Sequence, residues 1–556
     1  MESLGAFGGW IAANEALLSG MVSLVVLTGL VLSPFGKGVR RLFAARDRDA
    51  PASRSAPPAA SDEPLLAVLA FDNLSNDEEM QFFSDGVSEE LIQRLSRGAK
   101  LKVVGRTSSF QFRGERKALA ADQLACSHVL DGSVRRAGGR VRISAHLVEV
   151  GSRTTLWSER FDRDLEDVFA VQDEIGDRIA AALDRTFSGS ATRSVDPEVY
   201  DLYLRGRPHS YAPDELGARI ALLEEVTRRA PHFAEAWGRL AYLRAWWRWY
   251  QPYRGRAAIA DRVREEADRA LAVDPHDFDA LAARVFVVPA FGHFAESDRA
   301  LDRLRNAPGS GHGRLYVGYV LRATGHVREG LEDNERVHRL DAFDPMASNA
   351  LALSRMAAGR LDEAAPLYED LVQRVPEMGF PVANLLRLYA FQGDWNGVDR
   401  LLAIAERREL RGLEDGLAFV RAKRSPAEHL DAWRSAFDAD VRGTGCVDVA
   451  RLVYAAHLGL LEEAYRAAGS AWLGPTGGDG DLMGPDAYRT SLLFQQGMPE
   501  LRNDPRFVPL CARLGLVGYW LESGRWPDCA DEVPYDFRAE CERARGVLQD
   551  DFAARL

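Results

Sequence analysis

The chain has 556 residues, which at roughly 150 residues per domain implies three or four folded units. Apolar residues make up 46 % and charged residues 27 %, a balance that excludes wholesale disorder and a polytopic membrane protein. The net charge of −12 is uneven: residues 1–36 carry −2, residues 37–54 carry +4, and the rest carries −14. An acidic body argues against nucleic-acid binding, whose affinity comes from phosphate neutralisation. Five cysteines, an odd number in so long a chain, make no disulfide framework.

In chain order, residues 1–15 are an N-terminal tail. Ala16–Gly36 is a run of 21 residues without a charge, about enough to cross a bilayer core of roughly 30 Å as one helix. Its positive charge follows the apolar run instead of preceding it, unlike a cleaved secretory signal. Lys37, Arg40, Arg41, Arg46 and Arg48 follow it and none precedes it, so the positive-inside rule puts the amino terminus outside. The expectation is a single-pass bacterial inner-membrane protein with its bulk cytoplasmic, the alternative being a periplasmic bulk. Residues 37–64 then form a basic collar and a flexible Pro/Ala/Ser linker.

Residues 65–187 read as a small mixed α/β domain. LLAVLAF (65–71) and LKVV (101–104) are short apolar strands. Between them, apolar residues at three- and four-residue steps predict a helix over Asp77–Arg97, with Gly98 as its stop. Ala118–Leu124 is a short helix. HVLDGSVRR (128–136) and VRISAHLVEV (141–150) flank a glycine-bearing turn and predict a hairpin, with TTLWSERFD (154–162) as a third antiparallel strand. Leu165 to Leu183 follow as an amphipathic helix. The acids Asp72, Asp77, Glu78, Glu79, Asp85, Glu89 and Glu90 read either as a cation site or, in keeping with helix electrostatics, as a charged helix start. Ser75, Ser84-Asp85-Gly86 and Arg106-Thr107-Ser108-Ser109 could frame a small ligand pocket.

The blocks AVLAFDNLSNDEEMQFFSDGVSEELIQRLSR, VVGRTSSFQFRG, HVLDGSVRRAGGRVRISAHLVEV and LWSERFDRDLEDVFAVQDEI together resemble the TolB amino-terminal-like domain. That domain occurs in bacterial proteins whose carboxyl-terminal part is a tetratricopeptide array. It commonly follows a winged-helix or nucleotide-cyclase domain, and here only the apolar run stands upstream. The resemblance therefore implies a regulatory or scaffold module, not an inherited cyclase or transcription factor.

Residues 195–475 read as a degenerate tetratricopeptide-like solenoid of about five to seven helix pairs. RRAPHFAEAWGRLA (228–241), RALAVDPHDFDAL (269–281) and the stretch 338–376 share small residues at helix crossings, glycine in the tight turn and proline after the second helix. Such an array presents a concave surface for a peptide or a partner's helix. Within it Tyr242, Arg244, Trp246, Trp247, Arg248, Trp249 and Tyr250 form an aromatic–arginine segment. Aromatics at helical spacing fill cores, and with arginine they also make interface hot spots. These seven are the candidate partner-binding residues. Residues 476–556 are expected to cap the array's end.

The expected fold class is thus α/β plus all-α: one transmembrane helix, a small mixed α/β domain, and a TPR-like α-solenoid with a helical cap. No nucleotide loop, metalloprotease helix or nucleophile elbow occurs. No catalytic, metal or cofactor residue is assigned, and nucleic acid is not expected. The expectation is a non-enzymatic membrane-anchored scaffold that binds protein partners through its array and α/β module. The alternatives are a periplasm-facing envelope protein and, less favoured, a regulatory relative of TPR-containing adenylate cyclases lacking the catalytic domain.

Overall fold

The computed structural model describes residues 64–75, 80–98, 101–183, 195–208, 212–251, 255–288, 293–307, 312–410, 413–473, 486–495 and 499–548. β1 (Leu65–Val68), β2 (Asp72–Asn73), β3 (Lys102–Val103), β4 (His128–Ala137), β5 (Arg140–Glu149) and β6 (Thr154–Asp164) make one mixed sheet in the order β3-β1-β4-β5-β6. β1 runs parallel to β3 and β4, β2 pairs in parallel with β4, and β4–β5–β6 is an antiparallel meander. Gly138, at φ +61°, supplies the left-handed residue the β4–β5 turn requires.

Successive side chains of a strand point to opposite faces, and β1 buries both. Leu66 and Val68 join the main core under α1 (Gln81–Gly98) and a later helix. Ala67 and Leu69 join Val104, Phe112 and Cys126 on the other face. The short helices α2 (Arg106–Ser109) and α3 (Ala120–Gln123) lie in the segment between β3 and β4. Helix α4 (Val168–Ala182) packs on α1 and β6, with Ile175 and Ile179 fully buried.

Sixteen helices follow as eight pairs among the described residues. The first four are α5 (Pro197–Gly206) with α6 (Pro213–Arg229), α7 (Ala234–Trp247) with α8 (Arg256–Val273), α9 (Phe278–Phe286) with α10 (Phe294–Asn306), and α11 (Leu315–Ala323) with α12 (Val327–Leu340). The next two are α13 (Pro345–Ala357) with α14 (Leu361–Arg374) and α15 (Phe380–Gln392) with α16 (Trp395–Arg407). The last two are α17 (Glu414–Arg424) with α18 (Pro426–Thr444) and α19 (Val449–His457) with α20 (Leu461–Ser470). Helices touch their partners within pairs, and first helices of neighbouring pairs touch each other, as α7 with α9 and α11 with α13. That is the contact pattern of a tetratricopeptide-like solenoid. Gly325, Gly359, Gly393 and Gly459 hold positive φ in the turns inside pairs, where the chain must reverse at once. Between pairs, Asp277 and Asp344 cap α9 and α13 by accepting from backbone N–H groups of the first turn.

The last described helices, α21 (Pro499–Asn503), α22 (Phe507–Arg513), α23 (Leu516–Ser523) and α24 (Phe537–Arg543), do more than cover an end. They pack on the last pair, through Arg506 to Glu462 and Tyr465 Oη to the Leu501 carbonyl. They also fold back on the middle of the array. Fully buried Trp520 donates to the Thr324 carbonyl at 3.0 Å, and Arg525 pairs with Asp298 and Glu329.

Glu63–Leu556 forms one compact unit, so the sheet and the array share a core: Phe83 and Phe169 of the sheet layer meet Tyr200 of α5 edge-on. The anchor expected over Ala16–Gly36, and with it the single-pass inner-membrane placement, is corrected. Among the described residues no helix is long and apolar enough to cross a membrane, and residues 16–36 lie outside them. The longest described helices carry charges along their length, as Glu89, Glu90, Arg94 and Arg97 do on α1. Among the described residues the fold is α/β plus all-α.

Candidate functional site

Sequence alone placed the interest on the aromatic–arginine segment. Tyr242, Arg244 and Trp246, on α7, are buried. Tyr242 and Trp246 pack on Phe286, and Trp246 also on Tyr316, within the array's own core. Arg244 sits between Glu266 and Glu224 at 2.8–3.0 Å. Trp247, Arg248 and Tyr250 are half-buried, and Arg248 donates to the Arg256 carbonyl. The side chain of Trp249 lies outside the described residues. The segment thus runs from the buried side of α7 into the half-buried 3₁₀ turn Arg248–Tyr250 that follows it.

Of these seven, Tyr242 reaches a second feature: a cavity of about 260 Å³ between the sheet layer and the array. Glu89, Arg97 and Arg106 line it from the α/β side. Arg239 and Tyr242 of α7 line it from the array, with Asp277 and Asp279 at the start of α9 and Asp341 and Asp344 before α13. Ile92, Phe278, Leu315, Val337 and Leu340 supply apolar walls. The array contributes mainly the turns between its helix pairs, because those turns form one edge of the solenoid and the α/β layer docks on that edge.

The docking contacts are specific. Gly105 donates its N–H to the Leu340 carbonyl at 2.6 Å. The residue before helix α2, Gly105, has no side chain to cap it, and Asp341 does so from across the interface by accepting from Ser108 N–H at 2.7 Å. Ser108 Oγ in turn accepts from Phe343 N–H at 2.9 Å. Arg97 of α1 pairs with Asp274 in the turn before α9.

Beside the cavity lies a buried ionic network. Arg207, at the end of α5 and 1 % exposed, reaches Glu90 at 3.2 Å and Glu89 at 3.7 Å. Glu90 also accepts from Tyr203 Oη at 3.1 Å. Burial alone would raise the Glu89 carboxyl, but Arg207, Arg106 and Arg239 outweigh it and hold it below the ordinary range. Burial opposes charge on Arg207 as well, and Glu90 and Glu89 keep it protonated. Asp277 behaves oppositely. Burial, then the neighbouring Asp279, pushes its carboxyl up to about 8 against the pull of Arg97.

The acids singled out in the first strand–helix segment are mostly held by the chain's own cations. Lys117 pairs with Asp72, Arg113 is bidentate to Asp85, and Arg106 holds Glu89. Asp77–Glu79 lie outside the described residues. Arg106 and Thr107 line the cavity, whereas Ser75 Oγ accepts from Arg136 N–H within the sheet layer. Among the described residues no group of three or more His, Cys, Asp or Glu is arranged to hold a metal. The cysteines are free thiols, four of them buried.

Part of the array is covered by its own chain. Residues Asp486–Phe494 touch α11, α13 and α19, the first helices of three pairs. Thr490 Oγ1 donates to the Ala323 carbonyl, and Leu492, Leu493 and Phe494 are buried there. The sequence carries no signal for this, since a loop flanked by glycines says nothing of where it lands.

No family model matches the chain, so none stands behind the TolB amino-terminal-like resemblance. A stretch of 159 residues is 43 % identical to a protein of Rhizobium meliloti (strain 1021) named putative adenylate cyclase 3. The match covers 27 % of this chain and 27 % of that protein, so the chain spans about a quarter of the length of the curated relative it matches. Among solved structures, YrrB, described as a TPR protein with an unusual peptide-binding site, overlaps 34 % of this chain and 91 % of its own, at 17 % identity and a TM-score of 0.25. A human IFIT1 dimer with PPP-AAAA overlaps 55 % and 77 %, at 13 % identity and a TM-score of 0.31. At these scores neither overlap carries an argument, and the paired-helix architecture stands on this chain's own contacts.

Proposed function

We propose that this protein is a partner-binding scaffold in which the α/β layer and the TPR-like array act as one body. The observation that carries this reading is the docking of the α/β layer on the inter-pair turns, through Asp341 to Ser108, Leu340 to Gly105 and Asp274 to Arg97. A solenoid fixed along one edge and filled in part by Asp486–Phe494 offers its remaining rim to partners. The end of α7 and the 3₁₀ turn after it, with half-buried Trp247, Arg248 and Tyr250, have the composition of an interface hot spot. The buried members Tyr242, Arg244 and Trp246 position that rim. In this division the α/β module is a TolB amino-terminal-like unit and the array the larger binding surface.

The test separates rim from core. Partners are captured by photo-crosslinking from positions 247 and 250. Trp247→Ala and Tyr250→Ala should weaken recovery of a captured partner at least tenfold while the melting temperature stays within about 2 °C. Unchanged recovery with both variants folded would refute the assignment. A second reading rests on the 43 % identity to the protein named putative adenylate cyclase 3: the shared stretch is an accessory part of cyclase-type proteins. A change in the ATP-to-cyclic-AMP turnover of an added adenylate cyclase on titration with the purified chain would favour it, and no effect would count against it.

A further inference from the structure

Strand β6 closes one side of the sheet and pairs only with β5 among the described residues. At 11 residues it is long for an edge, and an edge presents a row of free N–H and C=O groups that invites another strand. Proteins commonly blunt such edges with bulges and charges. β6 has both, and their positions are informative. The bulge falls at its start, where Val148 faces Thr155 and Leu147 faces Trp157, leaving Leu156 as the extra residue, 41 % exposed. From Trp157 to Asp164 the ladder is regular.

That regular stretch reads Trp-Ser-Glu-Arg-Phe-Asp-Arg-Asp. Two copies joined edge to edge, antiparallel about a twofold axis, must place residues of equal parity opposite each other to keep both faces matched. Centring the pair on Phe161 sets Arg160 opposite Asp162 of the other copy and Glu159 opposite Arg163. The symmetry repeats both, so four opposite-charge pairs form. Centring on Glu159, Arg160, Asp162 or Arg163 instead sets a charge against its own copy. The Phe161 register therefore gives four opposite-charge pairs and no like pair, whereas the Asp162 register sets its two Arg160–Asp164 pairs against Asp162 facing its own copy, and such a preference is more than a plain charged edge shows.

The charges are placed to be used. Arg160 is exposed and has no ion-pair partner among the described residues. Asp162 is held by Arg140 and Arg142 of β5, which fix it on the solvent face, and exposed Asp164 beside it adds a second carboxylate within diagonal reach of the incoming arginine. On the opposite face Glu159 and Arg163 stand with Arg178 and Glu174 of α4, at 3.6 and 3.7 Å.

We propose that the β6 edge is a homodimerisation surface, in which two copies of this chain pair antiparallel about Phe161 to form one continuous sheet. Sedimentation velocity of the full chain over a concentration series tests it. The wild type should self-associate to a dimer. Arg160→Asp, which disturbs no pair within the chain, should weaken that association roughly tenfold or more, while Arg160→Lys retains it. Asp162→Arg should dissociate likewise. An equimolar mixture of Arg160→Asp and Asp162→Arg chains should recover the dimer, because each substitution complements the other across the axis. If Asp162→Arg fails to fold for want of the carboxylate between Arg140 and Arg142, the Asp/Lys contrast at position 160 decides. A wild type that stays monomeric, a dimer indifferent to Arg160→Asp, or two folded variants that fail to complement would each overturn the proposal.

Discussion

Gly105→Ala tests whether the α/β layer and the array are held as described. Gly105 sits at φ −62°, so its backbone accepts alanine without strain. Space does not: a Cβ there would lie 2.2 Å from Asp341 Oδ2 and 2.3 Å from its Cγ, about 1 Å inside van der Waals contact. Asp341 would have to swing away, losing its bond to Ser108 N–H and leaving helix α2 uncapped in a buried interface. An unpaired buried N–H costs about 1–3 kcal/mol and overpacking about as much again, so Gly105→Ala should destabilise by about 2–6 kcal/mol. Asp341→Ala alone should cost about 1–2 kcal/mol, the worth of the cap. In the Asp341→Ala background the contacts with Oδ2 and Cγ are gone but the Cβ of residue 341 still lies 2.6 Å from the new methyl, so Gly105→Ala should cost only the overpacking, about 1–3 kcal/mol. The coupling between the two sites is therefore the cap counted once, about 1–3 kcal/mol. Urea unfolding of the four proteins measures it, and hydrogen exchange at Gly105–Ser109 and Leu340–Asp344 locates it. If Gly105→Ala costs the same in both backgrounds, the reasoning about Asp341 is wrong.

Three further outcomes are expected. Asp277 has its carboxyl raised to about 8, so folding takes up a proton there and stability falls as pH rises from about 4 through 8. Asp277→Asn keeps the Ala280 N–H acceptor and removes the charge, so melting temperatures at pH 5 and pH 9 should converge relative to wild type; an unchanged pH slope would contradict the burial argument. His457, stacked on Phe391, has its imidazole pushed down to about 3 by burial, then by Lys423 and Arg387. Its contribution is intact above about pH 6.5 and is lost as pH falls towards 3, so His457→Phe should raise acid stability in a pH-titrated unfolding series while changing little at pH 8. Trp520→Ala should cost about 3–5 kcal/mol and, by hydrogen exchange, loosen Thr324–His326, because the indole ties α23 to mid-array.

Local pattern carried most of the α/β layer. Alternation in 141–147 and the glycine turn place the β4–β5 hairpin, and three- and four-residue spacing places α1 and α4. The helix pairs follow from the same rule, and the glycines between their helices take the left-handed conformation that residue type permits. Eight pairs stand where the rhythm implied about five to seven, because α17 passes into α18 at Ser425-Pro426 without the turn glycine on which that count relied. The candidate site was legible only in fragments. Arg106-Thr107-Ser108-Ser109 stood out, but its partners Leu340, Asp341 and Phe343 lie more than 230 positions away. The aromatic segment stood out too, yet whether Trp246 faces core or solvent depends on Phe286 and Tyr316, which periodicity in one helix does not see.

Sequence by itself determined the element types, the mixed sheet and the paired-helix array, since these depend on residue propensity and on period along one segment. Tertiary structure alone decided that the α/β layer sits on the inter-pair turns, that Asp486–Phe494 lies against three first helices, and that the last helices return to mid-array. It also decided that the acids of α1 answer arginines of the chain itself. Those outcomes depend on which buried donors, acceptors and charges find partners across long sequence separations, and a one-dimensional pattern carries no record of that pairing.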